Sequence, residues 1–484
     1  MGKQSTRRPS PFLSFIPLFV LVCLLFITIR TFGTDAISGS SQIVLLTGTA
    51  VTSMLAMACC KVKWQTIEDT ICNNIHGVST AIIILLLIGA LSGSWMVSGI
   101  VPTMIYYGMK LIDPNFFLVA SCVICALVSV MTGSSWTTIA TIGVALMGIG
   151  KAQGFSEGWI AGAIISGAYF GDKVSPLSDT TVLASSVTDT PLFSHIHYLM
   201  YTTVPSILIS LTIFLFVGFA HPATSATQIG ELTQTLDATF HISPWLLTVP
   251  SITAFLILKK VPSLITLFLS ALMAGICAII IQPNLLMTIA GEASSTAEAL
   301  YKGLFTTYYG STSIETGNET LNELVVTRGM GGMMNTIWLV VCAMCFGGAM
   351  QASGMLESLT SVLKRFMKRG VGLVSSTATS GILLNLVVAD QYVAIILMGN
   401  MFKDIYKKKG YDSRVLSRAT EDSVTVTSVL VPWNTCGMAQ STMLNVPTLT
   451  YLPYCFFNLI SPFMSIFIMA IGYKIKRIAV KEKE

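Results

Sequence analysis

The stretch "GAYFGDKVSPLSDTTVLASS" (residues 167–186) stands where a membrane-spanning helix would be expected. It carries Asp172, Lys173 and Asp179, a proline at Pro176 and a run of hydroxyl residues. Ionisable side chains inside a bilayer are costly and face protein or water rather than lipid. Gly167, Gly171, Pro176 and the polar run up to Thr181 are read as interrupting the helix: proline deletes a backbone donor and clashes with a continuing helix, and glycine and the hydroxyl residues tolerate an unwound backbone. The stretch therefore reads as two half-helices meeting near the membrane middle. The competing reading is an extramembrane loop in which Asp172 and Asp179 face water and cap helices.

The surroundings favour a membrane. The chain has 484 residues, of which 53% are hydrophobic and only 11% charged, and its mean hydropathy is +0.74. A soluble domain carries about a quarter charged residues. The expected fold class is an all-α polytopic membrane protein, because a helix satisfies its own backbone hydrogen bonds in lipid. The net charge of +5 comes from basic residues in short segments between apolar runs. That is an orientation pattern and no sign of nucleic-acid binding. The 11 cysteines lie mostly in apolar runs. The CxxC spacings Cys122/Cys125 and Cys342/Cys345 read as buried packing thiols rather than zinc or redox sites. The apolar run 12–32 is long enough to span and reads as a first transmembrane helix rather than a signal peptide.

About fourteen crossings of roughly 20 residues each can be threaded along the chain. They begin near Phe12, Ile43, Val78, Asn115, Trp136, Glu157, His195, Pro244, Pro262, Met333, Val371, Gln391, Val415 and Leu449. Segments expected inside, at 61–63, 259–260, 364–369, 403–409 and 473–484, are basic; those expected outside, at 221–241 and 282–329, are neutral or acidic. Both termini are therefore expected in the cytoplasm.

An internal repeat is visible. Pro176 and Pro432 lie 256 residues apart, and at the same offset Ser185 meets Ser441 and Pro191 meets Pro447. Near this register "VSGI" (97–100) meets "ASGM" (352–355), and Glu68 and Gly77 meet Glu323 and Gly332. Seven crossings between equivalent points give the repeats inverted topology, and inverted repeats with matching broken helices point to a secondary transporter. The expected layout is an N-terminal end with the first helix (1–40), a first transport repeat (41–221), an external loop (222–243), a second repeat (244–476) with an external insertion (282–330), and a cytoplasmic tail (477–484).

The chemistry should sit at the breaks. Asp179, with Ser178, Thr180 and Thr181, supplies hard oxygens of the kind sodium takes, and half-helix ends add carbonyls for a cation and N–H groups for an anion. One carboxylate can hold a proton or a sodium ion, not both, which is the minimal machinery of exchange. In the second half, "SVTVTSVLVPWNTCGMAQST" (423–442) places Asn434 opposite Ser178 and Thr435 opposite Asp179. Two polar breaks in equivalent places argue against the loop reading. In "NLVVADQY" (385–392), Asn385 and Asp390 align with "TGSSWTT" (132–138), and Asp390 reads equally well as a helix cap. The Arg418–Asp422 spacing suits a structural ion pair, with a proton relay through Asp422 as the alternative. Lys173 would neutralise a half-helix junction. His195 and His197 read as interfacial loop residues or pH sensors. An intramembrane aspartyl protease using Asp172 and Asp390 would have no use for matched proline breaks.

"GDKVSPLSDTTVLAS" (171–185), with "TGSSWTTIATIGVALMGIG" (132–150) and "DQYVAIILMGNMFKDIY" (390–406), closely resembles the NhaC family of sodium/proton antiporters, which includes malate/lactate exchangers. The resemblance implies electrochemically driven exchange of sodium for protons across a bacterial inner membrane, and an ion-transporter-superfamily-like fold with a moving transport domain. Dicarboxylate carriers of that superfamily use paired Ser-Asn-Thr hairpins. "SDT" (178–180) and "WNT" (433–435) are similar in position, and the Asp in the first favours a cation-dominated site. The expected function is a secondary antiporter with a buried Asp179 binding sodium and protons in competition. Ser178, Thr180, Asn434 and Thr435 are the expected oxygen ligands, Asp172 and Asp390 the supporting acids, and Pro176 and Pro432 the hairpin breaks. The alternative is a malate/lactate-type carboxylate antiporter coupled to both ions, with Lys173 or hairpin N–H groups holding the anion. No enzymatic activity and no cofactor are expected. The expected partners are sodium, protons and membrane lipids, with small carboxylates and a homodimer left open.

Overall fold

A helix is the backbone solution for long apolar runs in lipid, and the computed structural model bears this out. It describes residues 9–32, 39–220, 226–259, 261–291, 293, 295–318, 321–322, 325–363, 367 and 370–478. The basic residues Lys3, Arg7 and Arg8, most of the 364–369 segment and the tail from 479 lie outside the described residues. Regular structure among the described residues is helical, and the only β-type pairings are isolated bridges, Thr312 with Thr327 and Tyr411 with Arg477.

Eight helices are long and apolar enough to cross a membrane: Pro11–Phe32, Ser40–Cys60, Ser79–Val97, Pro114–Thr132, Leu192–Ala220, Ser263–Ile281, Gly329–Ala352 and Gly370–Val388. Two bent pairs, Gly230–Thr239 with Pro244–Ile257 (87°) and Thr448–Tyr454 with Phe456–Ala470 (55°), bring the number to ten among the described residues. The expected fourteen is not reached by this measure. The four remaining expected crossings, near Trp136, Glu157, Gln391 and Val415, fall on segments that are interrupted or polar. Ser135–Thr138 passes through a π-helical turn, Ile139–Gly143, into Val144–Ala152. Glu157–Val174 ends on Asp172 and Lys173, Gln391–Lys408 carries Lys403 and Asp404, and Ser413–Thr420 runs into a second π-helical turn, Glu421–Thr425. These four segments are the ones that build the polar centre of the molecule.

Two expected loops hold helices instead. The 222–243 region contains the helix Ala226–Thr239, and the 282–330 insertion contains Pro283–Ala290 and Thr296–Tyr309. The insertion packs tightly: a Cβ on Gly303 would lie 2.1 Å from the Leu286 carbonyl oxygen, and one on Gly93 would lie 2.2 Å from that of Thr307.

Both expected breaks are present. Glu157–Val174 stops, residues 175–178 form a turn containing Pro176, and Asp179–Val187 begins. In the second half the π-helical turn leads through a turn containing Pro432 to Thr435–Leu444. Gly167 and Gly171, however, lie inside the intact helix rather than at the break. A Cβ on Gly167 would sit 2.0 Å from the Cys122 carbonyl oxygen, and one on Gly171 would sit 2.4 Å from that of Ala126. These glycines let the helix press backbone to backbone on Phe117–Thr132, as small residues do between membrane helices. Cys122 and Cys125 are buried free thiols.

The 256-residue offset recurs in the backbone. Left-handed residues pair as Gly133 with Ala389 (φ 67° and 60°), Gly154 with Gly410 (82° and 74°) and Asp189 with Asn445 (52° and 54°). The hydrogen bond from Thr190 N to Ser185 O (2.8 Å) is repeated by Val446 N to Ser441 O (3.0 Å). Ser129 Oγ donates to Ala168 O at 2.6 Å, and at the same offset Asn385 Nδ2 donates to Val424 O at 2.7 Å.

A methyl group at Gly167 has no room. Gly167→Ala should destabilise the protein by about 1–3 kcal/mol through overpacking. Gly77→Ala, where nothing lies within 4 Å of the added carbon, should stay within about 0.5 kcal/mol. Thermal unfolding of the two variants in detergent checks the contrast.

Candidate ion-binding site

The first break surrounds Asp172, which is buried with 5% of its surface exposed. Its Oδ2 accepts hydrogen bonds from Ser135 Oγ at 2.6 Å and Ser135 N at 3.2 Å. Its Oδ1 accepts from Ser178 Oγ at 2.6 Å. Ser135 opens the helical run that Ser134 caps, and Ser178 caps Asp179–Val187. The carboxylate therefore lies between two helix starts, whose free N–H groups and dipoles favour negative charge. Thr180 Oγ1 lies 2.9 Å from Ser178 Oγ, and Thr181 Oγ1 donates to the carbonyls of Asp172 (3.2 Å) and Lys173 (3.1 Å). A carboxylate, hydroxyls and freed carbonyls converge where Pro176 stops the helix.

Asp179 is not the buried acid. Its side chain is exposed, in the first turn of Asp179–Val187, where an acid complements the helix dipole. Asp172 precedes the proline by four residues and stays on the last turn of the inward-packed helix, so it inherits the burial. Asp179 follows the break and emerges on the other side. Its charge still acts on Asp172.

The second break surrounds Asp390, with 2% exposed. Asp390 caps Gln391–Lys408 by accepting from Val393 N at 3.0 Å, and its other oxygen accepts from Thr435 Oγ1 at 3.0 Å. Thr435 N donates to the carbonyl of left-handed Ala389 at 2.8 Å. Asn434 caps Thr435–Leu444 through Cys436 N (3.1 Å) and donates to Asn385 O (3.2 Å). Both readings of Asp390, cap and buried acid at a break, thus describe one residue. Asp172 and Asp390 are held by separate donors with no hydrogen bond between them, which is not the facing pair an aspartyl protease needs.

The offset extends to side chains. Ser134 and Asp390 occupy equivalent cap positions, as do Ser178 and Asn434. The Ser135–Asp172 contact has its counterpart in Gln391 and Ser428, whose Oγ donates to Gln391 Oε1 at 3.3 Å.

The expected Arg418–Asp422 pair does not form. Asp422 pairs instead with Lys173, and both are fully buried. Lys173 and Asp172 are neighbours on one helix and so point different ways, one to Asp422 and the other to the serines. Arg418 stacks on the Tyr198 ring, 4.6 Å from its centroid. Arg414 forms two hydrogen bonds to Asp412, at 2.7 and 2.9 Å. His195 is buried inside Leu192–Ala220 with Nδ1 2.8 Å from Ser417 Oγ, whereas His197 is exposed. The Lys173–Asp422 partnership had no sequence signal, because it joins residues from two broken helices 249 positions apart.

With this geometry in place, comparison with known proteins is informative. A family model described as the Na+/H+ antiporter family matches residues 167–473. The Na(+)/H(+) antiporter NhaC of Alkalihalophilus pseudofirmus is 37% identical over 85% of this chain and 86% of its own. The Na(+)/H(+) antiporter NhaC of Bacillus subtilis is 35% identical over 84% and 87%. The malate-2H(+)/Na(+)-lactate antiporter of Bacillus subtilis is 36% identical over 80% and 81%. Among solved structures, Neisseria gonorrhoeae MtrF aligns over 96% of both chains at 13% identity and a TM-score of 0.34, too distant to inform the site.

The donors to the buried acids should be measurable. Thr435→Ala leaves Asp390 one donor short and should cost about 1–3 kcal/mol, whereas Thr435→Ser keeps the hydroxyl and should recover most of it. Thermal unfolding in detergent reads both.

Proposed function

The chain belongs to the Na+/H+ antiporter family, and from that premise we propose that it exports sodium and imports protons through one buried carboxyl, Asp172, that holds either ion in turn. The observation that carries the reading is Asp172 itself, buried at a helix break with hydroxyls on both oxygens. With a proton on Asp172, the neutral acid and its serines form a closed hydrogen-bonded set. When sodium replaces the proton, the carboxylate and the Ser178 and Thr180 oxygens serve as ligands through their lone pairs. Either ion neutralises the buried charge, so the site can cross between the two sides loaded with one or the other. An empty ionised site is penalised by desolvation. That penalty is what makes the exchange obligatory.

Asp179 stands at the entrance, where its exposed charge draws cations towards Asp172. Asp390, Asn434 and Thr435 form the matching break and complete the site from the second repeat. Repeats 41–221 and 244–476 are inverted in this reading, and alternating access moves one bundle of helices against the other. The chain lies in the bacterial inner membrane with both termini cytoplasmic. A carboxylate-coupled exchange is the second reading, but Lys173, its expected anion holder, is committed to Asp422. An organic anion would be left with the hairpin N–H groups.

Everted vesicles with a pH-sensitive dye test the assignment. Asp172→Asn should reduce sodium-driven proton movement by about 100-fold or more, as the loss of roughly 3 kcal/mol of ion binding requires. Asp179→Asn should retain turnover and raise the sodium concentration for half-maximal exchange several-fold. The opposite ranking of the two variants would remove Asp172 from the centre of the mechanism.

A further inference from the structure

The π-helical turn Glu421–Thr425 holds two consecutive acids, both fully buried. Such turns widen a helix and recur at functional sites. Asp422 is paired with Lys173 and also accepts from Thr202 Oγ1 at 3.2 Å. Glu421 has no such support. The Thr425 hydroxyl, on the same turn, is near enough to act on it, but neither carboxyl oxygen makes a well-formed hydrogen bond or an ion pair among the described residues. An ionised carboxylate in a dry interior is not left in that condition; it is neutralised by a proton or by a cation brought alongside.

The charges around Glu421 supply the second option. Lys173 and Asp172 from Glu157–Val174, and Asp422 on the same turn, act on it directly. Asp179–Val187, packed on the turn, contributes Asp179, and Gln391–Lys408 contributes Tyr392, Tyr406, Lys403, Asp404, Lys407 and Lys408 along its length. Gly370–Val388 and Phe456–Ala470, also packed there, carry no titratable residue. The preceding helix carries Arg414, held by Asp412, and Arg418, stacked on Tyr198 from the Leu192–Ala220 helix, which also carries His195, His197 and Tyr201. Lys173 thus pairs with Asp422 and is near enough to Glu421 to act on it by charge alone.

We infer that Glu421 is a second proton-carrying carboxyl, separate from Asp172, which releases its proton when Lys173 shifts from Asp422 towards it. This rests on the sodium/proton reading above and adds a site to it. The proton leaves Glu421 for water; the ammonium is then shared by two carboxylates; and reprotonation of Glu421 returns it to Asp422. Asp172 and Lys173 ride on one helical turn, so the ion at Asp172 and the proton at Glu421 are coupled through it. Exchange at Asp172 alone swaps one positive charge for another. A second proton on Glu421 makes each cycle move net charge.

The full-length protein in liposomes, with the membrane potential clamped and sodium and proton fluxes measured together, tests this. The wild type should move about two protons per sodium ion and respond to the imposed potential. Glu421→Gln should keep exchanging at about one proton per sodium and lose the response to potential. Glu421→Asp, which keeps the acid but shortens its reach to Lys173, should restore the wild-type ratio with a displaced pH–rate profile. A Glu421→Gln protein with the wild-type ratio and potential response would overturn the inference. So would one that loses sodium binding as Asp172→Asn does, since Glu421 would then belong to the sodium site. Should Glu421→Gln fail to fold, a Glu421→Asp profile identical to the wild type would overturn it instead. A wild type with no sodium-driven proton movement would defeat the antiporter reading itself.

Discussion

A carboxylate can stay inside a membrane protein only if protein groups replace the water it gives up. Asp172 meets that requirement with two serine hydroxyls and a backbone N–H drawn from two helix starts. Much of the architecture follows. A helix must begin at Ser135, another must end by Val174, and a third must begin at Asp179. Pro176 enforces the stop, and Gly167 and Gly171 bring the helix close enough to Phe117–Thr132 to hold the acid at depth. Hydroxyl oxygens of this kind can also ligate sodium, which is why the proposed function places both ions in the one shell.

The two halves share a backbone plan but not their charges. Left-handed residues, helix caps and turn hydrogen bonds recur at one offset. The acids do not: Asp172 is matched by Ser428, and Asp390 by Ser134. Lys173 and Asp422 are matched by Val429 and Ser166. The shared plan thus carries one buried acid at each break and an ion pair that joins the two halves.

Much of this was legible in the sequence, for physical reasons. Pro176 and Pro432 mark both breaks because proline acts on the backbone locally. Ser178, Asn434 and Asp390 read as caps because capping is a property of residue type and neighbours. The choice of Asp172 over Asp179 was not legible, since it depends on which side of the turn each acid emerges. The glycines were read as break-makers because the sequence does not show the helix they press against. Arg418 lost Asp422 to Lys173 because a contact across the two halves outweighed the helical spacing. The four remaining segments escape a count based on length and apolarity because two are interrupted by π-helical turns and two carry three or more charged residues.

The most direct test of the account is proton release on sodium binding. The purified protein in weakly buffered detergent, held at a pH where Asp172 is protonated, would be titrated with sodium while free protons are followed by dye. Competition at Asp172 predicts that sodium displaces protons, that apparent sodium affinity falls as pH is lowered, and that Asp172→Asn releases none. Sodium binding with no proton release, or release that persists in Asp172→Asn, would contradict the claim that one carboxyl holds the two ions in turn.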